Sequence, residues 1–352
     1  MKVALVGHGD NPSYLKDLFN GEGFELIEKK CNNENEYIEL LKEADGALIY
    51  IHPQTTRKVM EECKNLKVIS RGGVGVDSVD LDAATELGIC ICNTPGINTT
   101  EVADHAMALL LSLTRKVREQ DALVKKGYWA DRIDLVMPYR SELGRIAGNV
   151  AGIVGLGNIG RAFATRIKGF GPRKIIAYDP YVDQTTADLF GVQLVDLDSL
   201  LKESDFITIH APATEETNHL INDEALNKMK DTCILINCAR GPLVDPSALF
   251  NALKNNVISA AGIDVTEKEP IASEDPLLTL DNLIITPHTA GSSPVSRSEG
   301  TRKQAENVIR ILKGESPHGL ANPEVIKTIA IMKTKENNRW SGIDSFDTSL
   351  NV

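Results

Sequence analysis

The sequence predicts an α/β protein built of two doubly wound parallel-sheet domains. Three observations predict it. Short apolar runs alternate with amphipathic stretches through the first hundred residues, and the pattern resumes after Gly148. Such alternation implies parallel strands covered by helices on both faces. A strand-like run containing Val150, Ala151, Ile153 and Val154 enters the turn Gly155-x-Gly157-x-x-Gly160 and leaves it in a helical pattern. The chain has 352 residues, enough for two domains at roughly 150 residues each.

The first half places strands at 3–6, 24–27, 47–50, 68–69 and 89–92, with helical patterns near 13–19, 34–41, 56–63 and 80–86. The fourth strand runs into Arg71-Gly72-Gly73-Val74-Gly75-Val76-Asp77. No good helix follows this piece directly, so it is not the nucleotide turn. Bare amides at Gly73, Val74 and Gly75 beside an Arg suit a substrate carboxylate; a plain tight turn accounts for the glycines equally well. Asn98 and Glu101 then have the spacing of a helix cap. The helix they open carries Val102, Ala106, Leu109, Leu110 and Leu113 on one side and runs toward Lys126. At some 25 residues it would be about 40 Å long. Residues 127–143, with Trp129, Pro138 and Tyr139, read as an irregular, extended arm.

The second half places strands at 150–154, 175–178, 193–195, 206–210, 234–237, 260–264 and 283–286, and a helix over 246–254 with Pro246 in its first turn. Asp179, His210, Arg240, Asp264 and His288 fall at the carboxyl ends of these strands. In an open α/β sheet that edge is where ligands bind. A last helix runs from Ser293-Pro294 to Leu312 and stops at Gly314. From 326 to 352 no period is sustained, and a disordered tail is expected.

The glycine turn has the spacing of a dinucleotide-binding fingerprint. Gly155 makes the tight turn, Gly157 admits a pyrophosphate to the backbone, and Gly160 lets the helix pack on the strand. Asn158 and Ile159 open the helix whose N-terminal amides would face the phosphates. Asp179 ends the next strand, where a carboxylate accepts the adenosine ribose hydroxyls and repels a 2′-phosphate. NAD is therefore expected over NADP.

Hydrophobic residues make up 42% and charged residues 25% of the chain, an ordinary globular balance. A net charge of −11 argues against nucleic acid and anionic membrane as partners. A small anionic substrate would need local cations. The start MKVALVGHGD reads as a strand rather than a signal peptide, and the longest apolar run, 106–113, is too short to span a bilayer. Cys31, Cys63, Cys90, Cys92, Cys233 and Cys238 include no C-x-x-C and no metal-like spacing. Reduced, mostly buried thiols in a cytoplasmic protein are expected.

Arg240 stands in INCARGPLVD, Glu269 in DVTEKEP and His288 in PHTAG. With GGVGVDSVDLDAATELGICICNTPG, GIVGLGNIGRAFATRIKGFG, YDP at 178–180 and HAPATEETNHLI, these motifs resemble the D-isomer-specific 2-hydroxyacid dehydrogenase family over about residues 45–322. The resemblance implies NAD(H)-dependent interconversion of a small D-2-hydroxy acid and its 2-oxo acid. Arg240 would anchor the substrate carboxylate and polarise the keto oxygen, a task suited to a guanidinium fork. His288 would exchange the proton at the substrate oxygen, as imidazole can near neutral pH. Glu269 would orient the ring and favour its charged form. His210, Cys238 and Asp264 would border the cofactor, and no metal would be needed. Taken singly, the three residues have ordinary alternatives: a domain-interface ion pair for Arg240, a solvated loop for Glu269, a structural loop histidine for His288. His105, on the apolar helix, reads as a satisfied core residue. His52 would line the substrate mouth or cap a turn.

The resemblance also implies a domain plan. A Rossmann NAD-binding domain, 100–291, is inserted into a flavodoxin-like substrate domain formed by 1–99 and 292–325. A homodimer would form through the NAD-binding domain, with the 127–143 arm suited to that use, and cleft closure would exclude water from the reaction path. The sequence departs from the family at Asp104, where many members carry Glu, and at Ser292 and Ser293, where an aromatic often follows PHxAG. The lip at 50–54 lacks the basic residue that members taking phosphorylated substrates tend to carry. Two other readings are an NADH-sensing, co-repressor-like binding protein, which VMPYRSELGRIAGN resembles, and an enzyme oxidising phosphite or formate.

Overall fold

The computed structural model describes residues 1–7 and 12–343. The chain divides into two compact units, Met1–Asn98 with Ser293–Val352, and Thr99–Ser292. The first holds a parallel sheet of β1 (Lys2–Val6), β2 (Glu25–Lys29), β3 (Gly46–Ile49), β4 (Val68–Arg71) and β5 (Cys90–Cys92) in the order β2-β1-β3-β4-β5. Strand alternation divides its core by parity. Val3 and Leu5 pack with Phe19, Leu48, Val308 and Leu312 on one face. Ala4 and Val6 pack with Tyr37, Leu41, Val59 and Leu66 on the other. The helix Pro294–Leu312 opens with a capping box between Ser293 and Ser296, and its Gln304 side-chain amide donates to the Ile49 and Ser70 carbonyls.

The expected disordered tail is corrected over 326–343. A helix spans Val325–Lys333, and Val325, Ile329, Trp340 and Ile343 are buried in the face that holds Phe19 and Leu15. Trp340 is among the largest fully buried side chains, and its indole N–H donates to the Gly88 carbonyl at 2.9 Å. Val325, Ile326, Ile329 and Met332 have helical spacing, but over barely two turns, too short a run to mark a helix on its own, and Trp340 and Ile343 beyond it are isolated anchors. Residues 344–352 of the expected tail lie outside the described residues.

The second unit holds β6 (Val150–Val154), β7 (Lys174–Tyr178), β8 (Gln193–Leu194), β9 (Phe206–Ile209), β10 (Ile234–Asn237), β11 (Ala260–Ile263) and β12 (Leu283–Ile285). All pair in parallel, in the order β12-β11-β10-β9-β6-β7-β8. The chain proceeds outward from β6 to β8, then returns to lay β9 on the other side of β6. The junction of β6 and β9 is therefore the topological switch point, where an α/β sheet opens a crevice at its carboxyl edge. Ala151 and Ile153 pack with Leu109, Leu110, Phe163 and Ile167, while Val150 and Val154 pack with Leu200, Leu226 and Leu249.

Three expectations over residues 98–143 are corrected. Asn98 does not cap the next helix; its Oδ1 is buried and accepts no hydrogen bond. The long helix is broken in two, Thr99–Arg115 and Val117–Lys125, because Lys116 takes a left-handed conformation with φ 48°. The apolar stripe ends there as well. The arm is not extended but three single helical turns, Tyr128–Asp131, Ile133–Val136 and Tyr139–Glu142. None of the helical segments from Val117 to Glu142 buries a residue, and Val117, Val124, Trp129, Ile133 and Met137 are exposed.

Candidate active site

The glycine turn leaves β6 at the switch point, and the three glycines do different work. Gly155 has φ +90°, and a Cβ there would lie 2.7 Å from the Ala211 nitrogen and 2.8 Å from the His210 carbonyl carbon. The turn is thus pressed against the end of β9. A Cβ on Gly160 would lie 2.1 Å from the Gly155 carbonyl oxygen, so only glycine lets this helix start so close to the strand. Gly157 is exposed, and a Cβ there would meet nothing within 4 Å. It is also the N-cap of the helix Asn158–Lys168 without a side-chain cap bond, with Asn158 exposed and Ile159 half-buried behind it. Uncapped first-turn amides at an open edge, with the positive end of an 11-residue helix behind them, fit a pyrophosphate.

Asp179, at the end of β7, accepts the Leu156 amide at 2.7 Å and the Tyr181 amide at 2.9 Å. The carboxylate is fastened to the turn and half-exposed, with lone pairs left over for a ribose diol. His210, after β9, shares a 3.0 Å hydrogen bond with the Thr208 hydroxyl and stands 5.7 Å from the Phe163 ring. Its Nδ1 is buried without a partner, and burial pushes its pKa down to about 3. It is a neutral imidazole against the turn and cannot serve as a proton donor near neutral pH. The residues present fit a dinucleotide.

The candidate groups stand side by side along one edge. Reading across the sheet, β12 ends toward His288, β11 at Asp264, β10 near Arg240, β9 at His210, β6 at Gly155 and β7 at Asp179. Neighbouring strands are about 4.8 Å apart. The ends leading to Arg240 and His288, two strands apart, are thus about 10 Å apart in backbone, within the reach of side chains converging on a small molecule.

Glu269 and His288, 19 residues apart in sequence, meet at 2.6 Å between Glu269 Oε2 and His288 Nδ1. Glu269 Oε1 accepts the Thr266 amide at 3.1 Å, which fixes the carboxylate at the mouth of its own turn. Both side chains remain partly accessible, 38% for His288 and 36% for Glu269, so Nε2 of the ring can face solvent or substrate. His288 has φ +54°, which costs an L-residue about 1–2 kcal/mol. Asp264 offsets that cost. Its buried carboxylate accepts the Thr286 hydroxyl at 2.6 Å and the Thr289 and Ala290 amides at 2.9 and 2.8 Å, and its carbonyl accepts the His288 amide at 2.8 Å. Hydrogen bonds to a charged group contribute about 1.5–3 kcal/mol each.

The Asp264 carboxylate, expected to border the cofactor, also holds the loop that carries His288. The physical reason is burial, since at 1% exposure it must find its donors within the protein. His105 belongs to the same cluster, 2.9 Å from the Thr286 hydroxyl and 3.7 Å from Asp264, the satisfied residue its helix position suggested. Cys238 is 7% exposed, and burial, followed by the nearby Asp264 charge, pushes its thiol pKa up. Arg240 is half-buried, with one guanidinium N–H on the Ala239 carbonyl at 2.7 Å. The Asn237 side chain clips the turn, accepting from Ala239 and donating to the Arg240 carbonyl. The Asp264 staple escaped the sequence reading because its partners lie 22–26 residues downstream.

In the first unit, the loop holding Gly73, Val74 and Gly75 follows β4. It is pinned to the end of β5 by Thr94 and Asn93: the Gly73 amide donates to the Thr94 hydroxyl, the Thr94 amide to the Gly73 carbonyl, and the Asn93 side chain to the Val74 carbonyl. Among the described residues the Val74 and Gly75 amides make no internal hydrogen bond. Gly73 has φ +127°, and the Arg71 guanidinium fills the space a Cβ would need. His52 is exposed on its bend.

Among the described residues no group of His, Cys, Asp or Glu could hold a metal, and no helix is long and apolar enough to cross a membrane. A sheet edge with nucleotide-binding amides at one end and an imidazole–carboxylate pair at the other defines an NAD-dependent oxidoreductase. A model of the D-isomer specific 2-hydroxyacid dehydrogenase NAD binding domain matches residues 107–290. The chain is 42% identical over 290 residues to a glyoxylate reductase of Korarchaeum cryptofilum, covering 82% of this chain and 86% of that one. The apo D-lactate dehydrogenase of Escherichia coli superposes with a TM-score of 0.75 at 30% identity, covering 91% of this chain and 100% of that one. A Staphylococcus aureus formate dehydrogenase in complex with NAD superposes with a TM-score of 0.77 at 28% identity, covering 90% and 96%.

The chain belongs to the D-isomer-specific 2-hydroxyacid dehydrogenase family. It is an NAD-dependent 2-hydroxyacid dehydrogenase, and the co-repressor-like alternative is not favoured.

Proposed function

We propose that the protein reduces a small 2-oxo acid of the glyoxylate and hydroxypyruvate class to its D-2-hydroxy acid, with Arg240, Glu269 and His288 as the acting residues. The observation that carries this reading is the 2.6 Å contact between Glu269 and His288 at the same sheet edge as Arg240 and the nucleotide turn. Bound NADH would supply hydride to the carbonyl carbon, and bound NAD+ would accept it in the reverse direction. The Arg240 guanidinium binds the substrate carboxylate and draws charge toward the carbonyl oxygen, as a group that never loses its proton can. His288 Nε2 donates the proton that the new hydroxyl needs and takes it back in oxidation. Glu269 fixes the tautomer and the orientation of the ring from Nδ1. After β4 the Val74 and Gly75 amides suit a carboxylate, while the Gly73 amide is taken by the Thr94 hydroxyl. Gly155, Gly157, Asn158, Ile159, Gly160 and Asp179 hold the cofactor, with His210 and Cys238 behind them.

The name of the glyoxylate reductase relative supports glyoxylate, and the lip weighs against a phosphorylated acid. The 50–54 stretch carries no Lys or Arg, which disfavours a phosphorylated acid. Formate has no hydroxyl proton to remove, so the Glu269–His288 pair disfavours it. The unburied apolar residues from Val117 to Met137 fit burial against a second copy of the chain, and a homodimer through this unit is part of the proposal. Five of the six cysteines are buried and all are free, which fits a reducing, cytoplasmic setting.

A screen of NADH oxidation against glyoxylate, hydroxypyruvate, pyruvate, bulky 2-oxo acids and 3-phosphohydroxypyruvate tests the substrate class. The highest kcat/KM is expected for glyoxylate or hydroxypyruvate. A preference for the phosphorylated or bulky acids overturns it.

A further inference from the structure

A second imidazole–carboxylate pair lies on the turn that carries Glu269. His219 Nε2 is 2.7 Å from Glu267 Oε1. Its Nδ1 faces Asp245 Oδ2 at 3.8 Å, an ion-pair separation too long for a hydrogen bond. The backbone around His219 is stitched to the segment that follows Arg240. The His219 amide donates to the Pro242 carbonyl at 2.7 Å, the Ile221 amide to Leu243 at 3.0 Å, and the Asp245 amide back to Ile221 at 3.0 Å. Gly241, next to Arg240, is pressed on the acid turn from the same side; a Cβ there would lie 2.0 Å from the Thr266 carbonyl carbon and oxygen. His219 thus stands where the Arg240 segment meets the Glu269 turn. Its φ of +49° is left-handed, a strain that persists in a non-glycine residue only where the surroundings over-determine it.

We propose that His219 is a positioning residue for proton transfer: by holding Glu267 it fixes the turn that sets Glu269 against His288. This rests on the reading of Glu269 and His288 as the proton-transfer pair. The turn has internal bonds, from the Thr266 amide to Glu269 Oε1 and from the Thr266 hydroxyl to the Lys268 carbonyl, and these give it its shape. The His219–Glu267 bond ties that shape to the neighbouring segment. Glu267 is 42% exposed, so a cut bond releases it to water rather than leaving a buried charge. The cost then appears as a looser Glu269 rather than as unfolding. A Glu269 less firmly held leaves the His288 ring freer to turn, so Nε2 is aimed at the substrate oxygen less often. The loss falls on kcat rather than on substrate or NADH binding.

The test compares His219→Asn, Glu267→Ala and the double variant with the parent. Asn tolerates left-handed φ but is too short to reach Glu267, so the backbone is kept. The kcat and KM for glyoxylate with NADH are measured, with NADH binding followed by fluorescence. Each single variant is expected to lose about 3- to 10-fold in kcat, with the double no worse than either because both cut one link. The KM for glyoxylate and the NADH affinity are expected to change less than about twofold. A parent-like kcat in both single variants, a loss carried by KM rather than kcat, or losses that multiply in the double, overturns the inference. His288→Ala separates the two failures. Full turnover there sinks the proton-transfer reading itself, whereas an inactive His288→Ala beside a parent-like His219→Asn sinks only the role of His219.

Discussion

At the β6–β7 end of the seven-stranded sheet the protein works with backbone; at the β10–β12 end it works with side chains. The nucleotide turn is a local object. Gly155, Gly157 and Gly160 lie within six residues, and what each must be follows from where a Cβ would go. The end proposed for proton transfer is assembled from a distance: Glu269 meets His288 across 19 residues, and Asp264 staples the His288 loop from 22–26 residues upstream. A local device is broken by adding one atom, and a distributed one by removing a single partner.

Four substitutions sharpen that contrast, from the largest expected effect to the smallest. On the proposed reading, Arg240→Ala loses a charge-assisted anchor at a half-buried site, and kcat/KM for glyoxylate falls about 100- to 1,000-fold. NADH fluorescence titration should show the cofactor site unchanged; a parent-like kcat/KM breaks the assignment. Gly160→Ala adds a Cβ 2.1 Å from the Gly155 carbonyl oxygen. Overpacking of this kind costs about 1–3 kcal/mol, so both Tm and NADH affinity should fall, whereas unchanged values would mean that the turn yields more easily than its geometry implies. Asp179→Asn keeps an acceptor for the Leu156 amide but removes the charge, and the kcat/KM preference for NADH over NADPH should fall about tenfold.

The smallest effect concerns His210. Its pKa of about 3 in the fold lies below the ordinary histidine value, so the unfolded chain binds a proton that the folded chain does not. That contribution to stability is complete above about pH 6.5 and is lost as pH falls toward 3. In His210→Asn the slope of urea-unfolding free energy against pH should be shallower between pH 6.5 and 4; parallel slopes would contradict a buried neutral ring.

The same contrast explains what could be read before any coordinates. The parallel sheets, the glycine turn and Asp179 were legible because strand alternation and the G-x-G-x-x-G spacing are local. Arg240, Glu269 and His288 were legible only as members of resembling motifs, since nothing near His288 in sequence announces Glu269. The Asn98 cap, the long helix, the extended arm and the disordered tail were misread. The helix from Thr99 breaks at Lys116 through one left-handed residue, and helical spacing passes over such a break. The 326–343 stretch looked disordered because its helical run is barely two turns long and Trp340 and Ile343 beyond it are isolated anchors.

The central claim is that a side-chain pair assembled from distant strand ends carries the proton. His288→Ala tests it most directly, with kcat for glyoxylate reduction and NADH affinity measured on the same preparation. The account predicts a loss in kcat of about 100- to 10,000-fold, the range of a positioned acid–base group, with NADH affinity unchanged. Turnover at the parent rate with NADH bound would contradict it.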